Sequence, residues 1–172
     1  MSLLAKRLTG AAWPSLSLPA TDGSAVDLSR AQGTSVVYIY PRTSPPDGTS
    51  LPGWAEIPGA KGCTPQSCGF RDHFSELQAA GAAAVFGLSV QDTAYQAEAA
   101  SRLHLPFPLL SDADGALQTA LNLPTFEAAG MVLLTRMALV ITNGRIEAVF
   151  HPVTDPAANA EEILRYLRSR KT

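Results

Sequence analysis

The sequence is poor in the features that mark several large classes of protein. Only two of its 172 residues are cysteine, no apolar stretch reaches the length of a membrane span, and no basic run precedes the short tail that begins at Arg165. With 13 basic and 15 acidic residues, the formal net charge is -2, which attracts neither a phosphate backbone nor an anionic lipid surface. We therefore expect no nucleic-acid partner and no membrane partner.

Metal-binding patterns are also missing. None of the three histidines, His73, His104 and His151, has a second histidine or cysteine at the i,i+3 or i,i+4 spacing of a helical metal site, so we interpret them as exposed. Asp112 and Asp114 stand in a tight loop, but the positions that follow lack the oxygen ligands of a calcium site. A turn that caps a helix is the better interpretation, and we expect no metal and no other cofactor.

We expect no secretory signal in the N-terminal residues, because Lys6 and Arg7 stand where its apolar core would begin. We therefore expect a cytoplasmic protein, and the length and 46% hydrophobic content suit a single domain over residues 1–172. A durable disulfide is not expected in a reducing cytosol. The two cysteines then indicate transient redox chemistry, with two inert buried thiols as the simpler alternative.

Apolar patterns along the chain predict an α/β fold. Alternating segments at 16–19 and 25–28 predict an N-terminal β-hairpin, and continuous apolar runs at 35–40 and 83–90 predict central strands buried on both faces. The order of elements gives a mixed central β-sheet flanked by helices. Further expected elements are a helix capped by Asp92, a strand at 108–110, a short helix ending near Leu121, a hairpin around Asn143-Gly144 and a helix from about 157 to 170.

Residues 42–60 interrupt this pattern with four prolines, three glycines and no hydrophobic period. A loop of this length inside a compact domain is usually functional or disordered. We interpret it as an insertion within one domain and not as a boundary between two.

The two cysteines, Cys63 and Cys68, lie at the start of the next predicted helix. We expect Thr64 to be its N-cap and Pro65 its first residue, with apolar residues at helical spacing continuing it to Gly81. The free amide groups at a helix start favour a thiolate at Cys63. If both cysteines are helical, their Cα atoms lie roughly 8 to 9 Å apart, whereas a disulfide tolerates at most about 7 Å. A bond between them therefore requires the first turn to unwind.

Arg136 is the third candidate, because it stands inside the apolar run 131–139. A buried cation needs a partner, and a thiolate at the end of the sheet would be one. Alternation places it on the face opposite Met137. The alternative is an exposed arginine on an edge strand or in a turn.

The order of elements and the residues around the cysteines resemble the peroxiredoxins, and within them the PrxQ group, also called bacterioferritin comigratory proteins. The resemblance runs from about Trp13 to Leu167 and implies a thioredoxin-like fold. The residues that carry it are the entry hairpin, Tyr40-Pro41 after the first central strand, 62–64 with 68–72, 109–112, and Arg136 before the last hairpin.

The resemblance also implies a reaction. Cys63 would attack a hydroperoxide and become a sulfenic acid, and Cys68 would convert this to a disulfide that thioredoxin or a similar dithiol protein reduces. Arg136 matches the arginine that holds the thiolate and polarises the peroxide. Members of the group can be monomers, so we expect a monomer or a weak homodimer.

One position departs from the family. Peroxiredoxins carry a threonine or serine three residues before the attacking cysteine and a proline four residues before that, where this chain has Ala60 and Glu56. The proline corresponds to Pro41, so the insertion separates the two halves of the motif. We expect Thr43, or else Ser44, to supply the missing hydroxyl.

Three functions remain open from the sequence. The first is a thiol peroxidase for hydrogen peroxide or organic hydroperoxides. The second is a redox sensor or binding module that uses the same disulfide switch with little turnover, which Ala60 keeps open because it weakens only the catalytic motif. The third is a disulfide exchanger without peroxidase activity, and the spacing of the cysteines argues against it.

Overall fold

The computed structural model describes residues 2–57 and 60–170. Pro58 and Gly59, inside the predicted insertion, lie outside the described residues. The strands are β1 (Leu18–Pro19), β2 (Ala25–Val26), β3 (Thr34–Ile39), β4 (Ala82–Ser89), β5 (Leu109–Ser111), β6 (Thr125–Ala128), β7 (Met131–Leu134), β8 (Met137–Thr142) and β9 (Arg145–Phe150). The helices are α1 (Leu3–Leu8), α2 (Cys63–Asp72), α3 (Phe74–Ala79), α4 (Thr93–Arg102), α5 (Ala116–Leu121) and α6 (Asn159–Ser169), with 3₁₀ turns at Trp54–Glu56 and Pro156–Ala158.

A five-stranded mixed sheet forms the centre, in the order β5-β4-β3-β8-β9. Strands β3, β4 and β5 are parallel, whereas β8 is antiparallel to both β3 and β9. The predicted mixed sheet is confirmed, and so is the entry hairpin, which is the antiparallel pair β1 and β2. Every residue of β3 is buried, as its continuous apolar run predicts.

The sheet separates two apolar cores. Because side chains alternate along a strand, Val37 and Ile39 of β3 enter one core and Val36 and Tyr38 enter the other. The ring of Tyr38 stacks on Phe70 of α2 at a centroid distance of 4.5 Å. These contacts hold α2, which carries both cysteines, against this face of the sheet.

Two predicted helix caps, one predicted turn and one predicted buried helix face are confirmed. Asp92 accepts a hydrogen bond from the amide of Tyr95, and the carboxylate of Asp112 accepts from the amides of Leu117 and Gln118. Asn143 and Gly144 both have positive φ angles, 50° and 78°, as the tight turn between β8 and β9 requires. In α6, the three predicted inward residues Ile163, Leu164 and Leu167 are all buried.

The predicted start of the cysteine helix is wrong. The helix begins at Cys63, and its N-cap is Gly62 with a φ of 111°, so neither Thr64 nor Pro65 has the predicted role. A Cβ atom at Gly62 would lie 2.6 Å from the ring of Pro156. The close packing of that proline, which is distant in sequence, therefore leaves room only for glycine at the N-cap.

The predicted continuation to Gly81 as one helix is also wrong. Helix α2 ends at Asp72 and α3 begins at Phe74, with His73 between them at φ -102° and ψ 10°. The apolar spacing continues through the break because both helices face the same core.

The apolar run 131–139 is two strands and not one. Strand β7 pairs with β6 in a separate hairpin, and Thr135 and Arg136 belong to neither β7 nor β8. The turn of this hairpin is Ala129-Gly130, both with positive φ. Neither this hairpin nor α1 is predicted from the sequence.

In the described residues, no helix has the length and hydropathy needed to cross a bilayer.

Candidate active site

The topology brings Cys63 and Arg136 to the same end of the central strands β3 and β8. Strand β8 is antiparallel to β3, so its first residue Met137 pairs with Ile39, the last residue of β3. Arg136 therefore lies where β3 ends and α2 begins. Both side chains are buried, with 4% of Cys63 and 5% of Arg136 exposed.

The guanidinium of Arg136 contacts the sulfur directly. Its Nη2 atom donates to Cys63 Sγ at 3.2 Å and to the carbonyl oxygens of Ala60 and Lys61 at 3.0 and 3.1 Å. Its Nη1 atom donates to Gln66 Oε1 at 2.6 Å. The buried cation thus lies against the thiol, as the sequence predicts, and is oriented by a fork of bonds on both nitrogens.

Burial raises the pKa of the Cys63 thiol above its ordinary value, and the charge and hydrogen bond of Arg136 oppose this rise without cancelling it. The backbone amide of Arg42 acts in the same direction as Arg136. The net direction is opposite to the one expected from a helix start alone. The thiol accordingly donates to the carbonyl oxygen of Ala60, at 3.7 Å.

Cys68 lies on the same uninterrupted helix as Cys63, and the two sulfurs are not bonded. Cys68 is partly exposed, whereas its neighbour Ser67 is buried and accepts a hydrogen bond from Tyr38 Oη at 3.0 Å. Gln66 donates to Asn159 Oδ1 at 3.0 Å. The helical turns between the two cysteines are therefore held by side chains from β3 and α6.

Gln66 is a site residue that sequence reasoning missed. It is completely buried and joins Arg136 to Asn159 of α6, so it orients the guanidinium that contacts Cys63. Its position three residues after Cys63 is the available signal, because residues at i and i+3 share one face of a helix.

A cavity of about 210 Å³ lies in front of Cys63. The predicted insertion forms one wall and the start of α2 forms the other. The lining residues are Arg42, Ser44, Ser50, Trp54, Lys61, Gly62, Cys63, Thr64 and Pro65. Over residues 2–57 and 60–170, no group of three or more His, Cys, Asp and Glu side chains is placed to hold a metal ion.

A protein-family model described as Redoxin matches residues 8–164. The chain belongs to the Redoxin family. Among curated relatives, peroxiredoxin Q from the chloroplast of rice is 31% identical over 93% of this chain, which spans 66% of the length of that relative. The corresponding protein of Gentiana triflora is 28% identical over 98% of this chain and 70% of its own.

Solved structures agree with this assignment. Peroxidoxin BcpB from Mycobacterium tuberculosis is 26% identical, with a TM-score of 0.76 and coverage of 96% of this chain and 99% of that one. Peroxiredoxin Q from Xanthomonas campestris has a TM-score of 0.75 at 23% identity, covering 98% and 99% of the two chains, and shows the same fold. The predicted resemblance to PrxQ peroxiredoxins and the predicted thioredoxin-like α/β fold are both confirmed.

Against the peroxiredoxin motif, Thr43 lies beside the cavity and is not among its lining residues. Its hydroxyl donates to Gln91 Oε1 at 3.3 Å, its amide donates to the same oxygen at 3.1 Å, and its carbonyl accepts from Tyr95 Oη at 3.0 Å. The next residue, Ser44, does line the cavity. Ala60 is buried and offers only its carbonyl oxygen to Cys63 and Arg136.

Proposed function

We propose that this peroxiredoxin is a thiol-dependent peroxidase for hydrogen peroxide or organic hydroperoxides. The observation that carries the proposal is the contact of 3.2 Å between the buried Arg136 guanidinium and Cys63 Sγ, at the wall of a cavity. A cation in that position stabilises the thiolate and the negative charge that develops on the peroxide oxygens as their bond breaks.

The first step joins sulfur to oxygen. The Cys63 thiolate attacks the terminal peroxide oxygen, the O–O bond breaks, and the leaving oxygen takes a proton and departs as water or an alcohol. Sulfur is oxidised to a sulfenic acid and the peroxide is reduced by two electrons. Arg136 supports this step because its Nη2 atom contacts the sulfur that attacks the peroxide.

The second step uses Cys68. Its thiolate attacks the sulfur of the sulfenic acid, hydroxide leaves and is protonated to water, and a bond forms between Cys63 and Cys68. Thioredoxin or a similar dithiol protein then reduces this disulfide. Both cysteines are on the intact α2, so the bonds of Gln66 to Asn159 and Arg136 must break before the sulfurs meet.

The hydroxyl that contacts the peroxide has two candidates. Thr43 is the one expected from the sequence, and its hydroxyl is already bonded to Gln91. Ser44 lines the cavity together with Cys63. Thr43→Val and Ser44→Ala remove the two hydroxyls separately, and the variant with the slower peroxide reaction identifies the residue that acts.

A redox sensor with slow turnover is the second candidate function. It is favoured by the raised pKa of Cys63, which leaves less thiolate at neutral pH, and by Ala60 in the place of a hydroxyl. Both functions use the same disulfide, so they differ in rate and not in product.

Titration with hydrogen peroxide separates the two functions. A peroxidase loses both free thiols quickly at one equivalent of peroxide, and mass spectrometry then finds one intrachain disulfide. Cys63→Ser should consume no peroxide, and Cys68→Ser should form a sulfenic acid that thioredoxin does not recycle. Slow thiol loss that needs millimolar peroxide would instead support the sensor, and fast consumption by Cys63→Ser would contradict both.

The remaining expectations belong to the same proposal. Residues 1–172 would form one domain with the insertion 42–60, active in the cytoplasm as a monomer or weak homodimer without a metal or other cofactor. The plant relatives are named as chloroplastic, so the expected cytoplasmic location does not follow from similarity to them. Sedimentation of the reduced and oxidised protein tests the expected size.

A further inference from the structure

We propose that Trp54, carried by the insertion, determines which hydroperoxides reach Cys63. Its indole closes the cavity in front of the sulfur, so the site accepts hydrogen peroxide and short alkyl hydroperoxides and excludes bulky aromatic ones. This inference rests on the proposed peroxidase function, and it assigns the substrate range of that site to one residue.

The size of the cavity is the first support. Its volume of about 210 Å³ is below the range of roughly 300 to 1,000 Å³ that is usual for drug-sized ligands. A larger cavity of about 770 Å³ shares Lys61, Gly62 and Pro65 with it and is also lined by Arg136, but Cys63 is not among its lining residues. The roomier space nearby is therefore not the space in front of the sulfur.

Trp54 is held in place by a small apolar cluster of its own. It is 9% exposed and packs with Ala60, Ala128 and Leu133, and its ring lies 6.3 Å from that of Phe126. Phe126, Ala128 and Leu133 all belong to the hairpin of β6 and β7. The indole is thus packed between the insertion and that hairpin and is largely shielded from solvent.

The other end of the insertion is fixed to α4. Arg102 donates to the carbonyl oxygen of Ser44 at 3.0 Å, and its own position is set by an ion pair with Glu98 at 2.9 Å. Tyr95 donates to the carbonyl oxygen of Thr43. Because the wall is attached at Thr43 and Ser44 and again at Trp54, the size of the cavity is a property of the fold.

The test compares Trp54→Ala with Trp54→Leu, which keeps an apolar anchor if the smaller residue impairs folding. Peroxide reduction is measured with hydrogen peroxide and with cumene hydroperoxide. Removing the indole should raise the ratio of cumene to hydrogen peroxide kcat/KM by on the order of tenfold, the usual scale for discrimination by an apolar pocket. Trp54→Leu should give a smaller rise. An unchanged ratio in both variants would overturn the inference.

Val132→Ala is the matched control. Val132 lies on the same supporting hairpin but is 57% exposed, and its removal should leave the ratio unchanged. An equal rise in this variant would assign selectivity to general loosening of the hairpin and contradict a specific role for Trp54.

A second readout does not need peroxidase activity. In a Cys68→Ser background, alkylation of Cys63 by iodoacetamide and by N-phenylmaleimide is followed by mass spectrometry. Trp54→Ala should accelerate the bulky reagent more than the small one. If the protein consumes no peroxide and the labelling ratio still rises, the proposed function fails while the role of Trp54 stands. If peroxide is consumed and neither ratio moves, the role of Trp54 is wrong.

Discussion

Two arginines lie at opposite ends of the β3–β8 pair and have different surroundings. At one end, Arg170 pairs with the Glu147 carboxylate at 2.7 Å and donates to Thr34 Oγ1 at 2.9 Å. At the other end, Arg136 donates to the carbonyl oxygens of Ala60 and Lys61, to Gln66 Oε1 and to the Cys63 sulfur. The guanidinium of Arg170 therefore lies against a carboxylate, whereas that of Arg136 lies against a thiol sulfur.

The acids beside the two arginines respond in opposite directions. Burial alone would raise the pKa of Glu147, but hydrogen bonds from Tyr166 and Thr142 and the charge of Arg170 lower it below the ordinary value. Burial also raises the pKa of Cys63, and there Arg136 does not overcome it. The partly exposed Glu147 has several donors that stabilise its charged form, whereas at Cys63 the effect of burial on the pKa outweighs the opposing effects of Arg136 and Arg42.

Removing Arg136 should have the largest effect. Arg136→Met deletes the cation at the sulfur, and we expect peroxide reduction to fall on the order of 10²- to 10³-fold, as for the loss of a positioned donor in other active sites. Arg170→Met is the matched control, and its rate should stay close to wild type. Stopped-flow peroxide consumption measures both, and equal losses would remove the distinction between the two ends of the sheet.

The pH dependence of Cys63 should sharpen the same comparison. The reactive form is the thiolate, so a raised pKa means that alkylation of Cys63 in a Cys68→Ser background increases through neutral pH and beyond the usual cysteine value of about 8.5. Arg136→Met should move this curve to higher pH, and Arg170→Met should not. A rate that is already constant below pH 7 would show that the pKa is lowered instead.

Substitution of Gln66 should slow peroxide reduction less than substitution of Arg136 and more than substitution of Asn159, its hydrogen-bond partner in α6. Gln66→Ala leaves Arg136 Nη1 without its bond of 2.6 Å, and we expect roughly a tenfold loss of rate, since a charge-assisted hydrogen bond contributes about 1.5 to 3 kcal/mol. Asn159→Ala removes the bond from Gln66 and the bond of Asn159 to Glu162 within α6, but it leaves the bond between Gln66 and Arg136, so it should cost less. The pH profile is the deciding readout, because a purely structural role for Gln66 would slow the reaction without shifting the profile.

The smallest effect is expected at the end of the sheet where Arg170 pairs with Glu147. Glu147→Gln should lower stability by about 1 kcal/mol, because the pair is partly exposed, and lower Tm by about 2 to 4 °C. Because the pKa of Glu147 is lowered in the folded state, its contribution is present above the unfolded pKa and is lost as pH falls through the folded value. The Tm difference between variant and wild type should therefore shrink in acid, while peroxide reduction stays unchanged.

The sequence predicts those parts of the fold that local chemistry determines. The strand at β3, the turn at Asn143-Gly144 and the helix cap at Asp92 follow from a buried apolar run, a positive-φ pair and a carboxylate before a helix. The hairpin of β6 and β7 was not predictable in this way, because its turn places Ala129 at a φ of 50°, which alanine rarely adopts.

In the candidate site, too, some features follow from local chemistry and others depend on residues that are distant in the sequence. Proximity of Cys63 and Arg136 follows from the cost of burying an unpaired cation, and the structure brings them together. The N-cap at Gly62 depends on Pro156, and the role of Gln66 depends on Asn159, both from the distant end of the chain. Contacts of that kind leave no periodic signal in the sequence. The hydroxyls of Thr43 and Ser44 are adjacent, so only the folded loop separates one from the other.

The interruption at His73 divides the segment after Cys63 into two helices, α2 and α3. Leu77 of α3 is completely buried, and α3 does not carry either sulfur. In the proposed cycle the opening of α2 can end at His73, so at most the ten residues of that helix lose order while α3 remains as an anchor. Closing a chain segment of about ten residues takes on the order of 10 to 100 ns. Once the disulfide is reduced, the segment can therefore return to its helical form by a short local search, without refolding of the domain around it.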